Sequence, residues 1–120
     1  MEREVTEAEF LDMLQNGHRH FHKICVEAGT YHEFDFSGLI FDECLFSVDF
    51  AGSNFENSTL MNSNFKACDF SNCVFKGAVL LGNSLDGSEF KGVIIEGITF
   101  LENTYHSIIL TERHLIDMII

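Results

Sequence analysis

The chain is 120 residues long, the length of one domain, and its 19 acidic residues against 7 basic ones give a formal net charge of −12. That balance excludes direct binding to nucleic acid or an anionic membrane, both of which need a basic patch, and leaves a basic protein surface as a possible partner. No run of roughly 18 apolar residues exists to span a membrane, the polar start MEREVTEAEF is no secretory leader, and Cys25, Cys44, Cys68 and Cys73 are expected reduced in a cytoplasmic setting.

The first element is a helix. Thr6 and Glu9 spell a capping box, T-E-A-E, and Val5 is placed to staple onto Phe10. The helix is predicted over 7–16, stopping at Gly17, with Phe10, Leu11 and Leu14 on one face as a lid for the first coil of the chain beyond it. Residues 1–18 are thus an N-terminal cap. In GHRHFHK, His18, His20 and His22 alternate, which on a strand puts three imidazoles on one face. No clear fourth ligand accompanies them and Phe21 fits an inward place, so no metal site is assigned and His20 and His22 are read as outward flankers.

From Phe50 an apolar residue then falls on every fifth position: Phe50, Phe55, Leu60, Phe65, Phe70, Phe75, Leu80, Leu85, Phe90, Ile95, Phe100, Tyr105, Leu110. Two residues before each stands a smaller series from Val48 through Ser53, Cys68, Cys73 and Asn83 to Asn103 and Ile108. Period five fits neither helix nor strand and marks a repeat architecture. Phe21, Val26, Tyr31, Phe36, Phe41 and Phe46 keep the same period, but Phe46 to Phe50 is one residue short, a phase slip near Ser47. The unit A/S–D/N–F/L–x–G/N is legible in SNFEN, STLMN, SNFKA, CDFSN, NSLDG and SEFKG.

This pattern closely resembles the pentapeptide-repeat family over residues 19–110. The resemblance implies an all-β fold, a right-handed parallel β-helix of square section with four units to a coil. About 90 residues make about 4.5 coils, a rod about 22 Å long at the strand spacing. The large and small series both point inward, and Asn57, Asn62, Asn72 and Gly77 to Gly97 take the corners where φ is positive. Counting four units per coil gives four inward columns: Tyr31/Phe50/Phe70/Phe90/Leu110, Phe36/Phe55/Phe75/Ile95, Phe41/Leu60/Leu80/Phe100 and Phe46/Phe65/Leu85/Tyr105, with Asn83 and Asn103 stacked as an amide ladder. Residues 111–120 leave the repeat as an apolar C-terminal cap or dimerisation segment.

Catalytic chemistry is not indicated. No Ser-His-Asp set, phosphate loop or dinucleotide fingerprint occurs, a rod packed with Phe has no internal pocket, and no cofactor is expected. Cys68 and Cys73 sit five apart but at the small inward position, where Cys replaces Ala or Ser. Interest passes to outward residues. Asp49, Asp69 and Glu89 form an acidic column; Glu56, Lys76 and Glu96 alternate in sign as a charge ladder; Met61, Leu81 and Leu101 form an apolar column with Val79 and Ile40 beside it. That stripe and the tail residues Leu115, Ile116 and Ile119 are the candidate partner or dimer interface.

The resemblance also implies functions. Some members are acidic DNA mimics that protect DNA gyrase from quinolones, dimerised through the C-terminal end, and Asn103-x-x-x-Ser107 with Glu112-Arg113 and Leu115-Ile116 is loosely similar to their terminal cap. This rod is shorter and shows no loop insertion after Phe50. The expected function is a non-enzymatic protein-protein interaction module, homodimeric, with an unspecified protein partner. A mimic that binds a topoisomerase or another nucleic-acid enzyme, and an immunity protein against a basic toxin, stand as alternatives.

Overall fold

The structure is a computed structural model that describes residues 2–120. Strand β1 (Arg3–Glu4) and helix α1 (Glu7–Gln15) are followed by β2 (His20–His22), β3 (Ile24–Val26), β4 (Ile40–Asp42), β5 (Leu45–Phe46), β6 (Thr59–Met61), β7 (Val79–Leu81) and β8 (Thr99–Leu101). A terminal hairpin, β9 (Thr104–Tyr105) and β10 (Ile108–Ile109), leads into helix α2 (Glu112–Met118). The strands stack as a parallel solenoid of five coils; one wall is a five-stranded sheet in the order β2-β4-β6-β7-β8. The other walls are held by parallel bridges such as Thr30–Asp49–Asp69–Glu89 and Asp35–Asn54–Val74–Ile94.

The register records the phase slip. Phe21 pairs with Phe41 and Leu60 with Leu80, steps of twenty, whereas Phe41 pairs with Leu60 and Thr30 with Asp49, steps of nineteen. The coil that contains Ser47 is one residue short and the inward columns stay aligned across it. Their rings are stacked at 5.9, 5.4 and 5.2 Å from Tyr31 through Phe50 and Phe70 to Phe90, and at 5.0 Å from Phe36 to Phe55 and again to Phe75. Such stacking adds to plain burial and gives most of the Phe residues their use. Positive φ recurs two residues after the inward residue, at Asn57 (59°), Ala67 (54°) and Glu102 (57°) as well as at glycines. Over Asn72, a Cβ on Gly92 would meet the Asn72 Oδ1, so a side chain there requires the Asn72 amide to move.

The small inward residues hold coils together by hydrogen bonds. In one column the Ser63 Oγ accepts the Cys44 N–H at 3.0 Å, the Asn83 Oδ1 accepts the Ser63 N–H at 3.0 Å, and the Asn103 Oδ1 accepts the Asn83 N–H at 3.1 Å. The Asn83 Nδ2 donates to the Leu60 carbonyl (2.8 Å) and the Asn103 Nδ2 to that of Leu80 (2.9 Å), so the expected amide ladder exists and reaches down to Cys44. Where no side chain is supplied from above, the same N–H closes a turn instead, as from Ser58 to the Phe55 carbonyl at 3.0 Å.

Both ends are covered. The Thr6–Glu9 capping box is formed at 3.1 and 3.0 Å, and Phe10 sits over the rings of Phe21, Tyr31, Phe36 and Phe46, one from each column, at 5.2 to 6.4 Å. Strand β1, which no sequence pattern announces, pairs in parallel with β3 and covers that edge. At the other end the five-residue period misleads. Ile108 is not inward but 62% exposed, because His106 and Ser107 both take positive φ (48° and 69°) and reverse the chain into an antiparallel hairpin. Leu110 returns to the core, and Thr111 caps α2 with the His114 side chain answering the Thr111 N–H at 2.9 Å.

Candidate functional site

Parallel sheets are usually covered on both faces, yet the outer face of the five-stranded wall is open. Pairing sets Asp42, Met61, Leu81 and Leu101 in one outward column and Ile40, Thr59, Val79 and Thr99 in the other. Ile40, Met61, Val79 and Leu81 are half-buried among their neighbours, while Leu101 is 56% exposed. The apolar stripe expected from the repeat is therefore a physical column, and it becomes more exposed toward the C-terminal end. There β8 has no further strand beside it and leaves the edge of the sheet unpaired.

A second wall shows the same gradient. Asp35, Asn54, Val74 and Ile94 lie in one bridged column, polar at the start and apolar at the end, with Ile94 50% exposed. Together with Leu101, Ile108, Ile109, Ile116 and Ile120, it completes the set of exposed large hydrophobic residues among those described, and all lie in the last coil or beyond. The periodic pattern does not single out Val74 and Ile94, although each replaces the Asp or Asn of its unit; it places Ile108 inward because that residue keeps the period, and it leaves Ile109 at an outward position.

Two tail residues leave the candidate interface. Leu115 is 1% exposed and packs under the last coil; Ile119 is half-buried and its carbonyl accepts the Gly92 N–H at 2.8 Å. Both close the core, because α2 has to cover the open end of the columns. Ile116, 40% exposed, stays on the surface.

The acidic column is real in register but its carboxylates are partly engaged. The Asp49 Oδ1 accepts the Ala51 N–H at 2.9 Å and the Asp69 Oδ1 accepts the Ser71 N–H at 2.8 Å, the local turn bond that the Asn54 amide makes with Glu56. His32 adds a 2.7 Å contact to the Asp49 Oδ2. Partial burial works to raise the Asp49 pKa, but the Ala51 N–H and His32 together hold it below the ordinary carboxylate value. Glu89 alone of the three projects freely. The charge ladder of Glu56, Lys76 and Glu96 is not closed: among the described residues no ion pair joins them, since exposed side chains gain little by it.

Burial suppresses the reactivity of the inward thiols. The Cys44, Cys68 and Cys73 thiols donate to the carbonyls of Phe21, Phe46 and Phe50 at 3.2, 3.2 and 3.1 Å, the role that Asn83 fills elsewhere. Burial pushes the Cys68 and Cys73 pKa values up to about 12 and raises that of Cys44. His20 and His22 are exposed flankers; His22 approaches Asp42 at 3.3 Å. No cluster of His, Cys, Asp or Glu among the described residues is arranged to hold a metal, and no described helix is long and apolar enough to cross a membrane.

Comparison with known proteins agrees with this architecture. The family described as Pentapeptide repeats matches residues 35–80 and 63–100, in eight copies. Among solved structures, the pentapeptide repeat protein Rfr23 from the cyanobacterium Cyanothece 51142 is similar at 16% identity over 87% of this chain, with a TM-score of 0.61. The match spans 60% of the length of that protein. The pentapeptide repeat protein alr5209 from Nostoc Pcc 7120 aligns over 95% of this chain and 96% of its own at 16% identity, with a TM-score of 0.43. No curated protein matches the chain. Five stacked coils, inward five-residue columns and the matching family pattern lead to one conclusion: this chain belongs to the pentapeptide-repeat family.

Proposed function

We propose that this protein is a non-catalytic protein-binding module that docks through its C-terminal end and associates there with a second copy of itself. The observation that carries the reading is the confinement of Ile94, Leu101, Ile108, Ile109, Ile116 and Ile120, all exposed, to the last coil and the segment beyond it. Exposed apolar residues gathered at one end, beside an unpaired strand edge, mark a contact surface.

Charge favours a second copy joined end to end. The first sixty residues hold twelve of the 19 acidic residues and three of the 7 basic ones, so the acidic ends point away from each other in a two-fold pair. The acidic ends and flat walls then remain free for a further protein. The DNA-mimic alternative draws less support, because two members of its three-residue acidic column already bind their own backbone.

The test is a substitution on the exposed end. Leu101→Asp leaves a surface position polar and keeps the fold, but puts a charge into the interface. It is expected to weaken self-association by at least about 30-fold, the effect of losing about 2 kcal/mol at an interface hot spot. Unchanged self-association of Leu101→Asp and of Ile109→Asp, read by sedimentation velocity, contradicts docking through this end.

A further inference from the structure

Along one corner of the rod runs a groove of about 580 Å³, within the size range of ligand sites. It crosses the coils lengthwise and does not lie over either end. Its corner side is formed by Glu43, Asn62, Gly82 and Glu102, stacked in turn by the register of the wall beside them. All four take positive φ (52°, 50°, 70° and 57°), and among the described residues no hydrogen bond reaches their backbone carbonyls. The facing side is the bridged column Leu45–Asn64–Ser84–Thr104.

Asn64 breaks the rule of its position. Asp35, Asp49, Asn54 and Asp69 hold the same place in their units, and each Oδ1 accepts the N–H two residues on, at 2.8 to 2.9 Å. The Asn64 Oδ1 makes no such bond. It belongs to the groove wall and is the only buried side-chain oxygen or nitrogen among the described residues that has no partner. A buried acceptor left unpaired is costly, so the site gains from any donor brought to it.

The groove also has a sign. Its charged members are Glu2, Glu43 and Glu102 against Lys23 alone. The Lys23 ammonium already stands 3.7 Å from the Glu43 carboxylate with both side chains about half exposed, so an amine cation fits beside that carboxylate. Three coil steps of about 4.8 Å separate Glu43 from Glu102, about 14 Å in all.

We propose that this groove binds a linear oligoamine laid along the rod axis. Its end ammonium groups meet Glu43 and Glu102, and its inner N–H groups donate to the corner carbonyls and to the Asn64 Oδ1. Donors that carry charge make the stronger hydrogen bonds, and the row of carbonyls repeats at every coil. The site lies within one chain and does not depend on self-association.

The test is titration of the full-length, isotope-labelled protein with spermine, followed by NMR. Saturable shifts are expected at the Glu43, Asn62, Gly82 and Glu102 amides and at the Asn64 side-chain amide. Putrescine, too short to join Glu43 to Glu102, is expected to bind at least about tenfold more weakly, having lost two or more charged hydrogen bonds. Glu102→Gln is expected to weaken spermine binding about threefold, the size of an exposed ion pair. Glu96→Gln removes the same charge outside the groove and is expected to leave binding nearly unchanged. Asn64→Ala alters no charge and is expected to weaken binding about fivefold, the size of one hydrogen bond; diffuse attraction to a chain of net charge −12 would not respond to it. Ile109→Asp, which separates the copies, is expected to bind spermine as the wild type does. Absence of saturable shifts, equal weakening by Glu96→Gln and Glu102→Gln, unchanged binding in Asn64→Ala, or loss of binding in Ile109→Asp overturns the proposal.

Discussion

The small inward residue is where the repeat does more than fill space. Asn83 accepts the Ser63 N–H and donates to the Leu60 carbonyl; Asn83→Leu strands the buried Ser63 N–H, while the Leu60 carbonyl lies in the β6–β7 ladder and keeps its strand bond. An unpaired buried group costs about 1–3 kcal/mol, and chemical denaturation is expected to show a loss of about 2 kcal/mol. Ser58 donates only to the Phe55 carbonyl, which keeps its bond from the Ser58 N–H, so Ser58→Ala is expected to cost less than about 1 kcal/mol. The inward place of these residues was legible from the period. Their bonding was not, because Ser, Cys, Ala and Asn are alike in being small enough, and only the stack shows which backbone group lies above each. The thiols give a pH test with a definite sign. An unfolded cysteine ionises near about 8.5, while folded Cys68 and Cys73 are pushed up to about 12. As pH rises the unfolded chain loses these protons first, so their contribution to stability is present below about pH 8.5 and falls as pH climbs toward 12. Thermal melts are expected to drop over that range, and less in Cys68→Ala; a flat profile contradicts the burial described.

At the scale of elements, the caps decide whether the columns stay closed. Phe10 touches a ring from every column, and Phe10→Ala is expected to cost about 3–5 kcal/mol. Thr6→Ala removes the α1 capping bond and is expected to cost about 1 kcal/mol, read from the same denaturation curves. The helix α1 was legible because its start signal is local: Thr6, Glu9 and a three-residue spacing. Strand β1 was not, since two residues carry no period. The terminal hairpin was hidden for the opposite reason. Tyr105 and Leu110 are five apart and keep the repeat's spacing, while His106 and Ser107 lack the Asn-Gly signature usual for a two-residue turn. Stacking arithmetic recovered the phase slip because the loss of a single residue shifts every later column and is seen thirteen times over.

The whole molecule is polar along its axis, acidic toward the start and apolar toward the end. Half of this was legible: the Met61/Leu81/Leu101 column comes from counting twenty residues per coil, and the structure keeps it in register. The other half depends on how the coil finishes, which turned Ile108 outward and Leu115 inward, and no periodic rule carries that information. The asymmetry underlies the reading of the protein as a module that pairs through its C-terminal end. The most direct measurement of that claim is the solution mass by sedimentation equilibrium over a concentration series. A mass rising to twice 13.6 kDa for the wild-type chain, and held at the monomer value in Leu101→Asp, is the predicted result; a wild-type mass fixed at that of one chain at every concentration contradicts it.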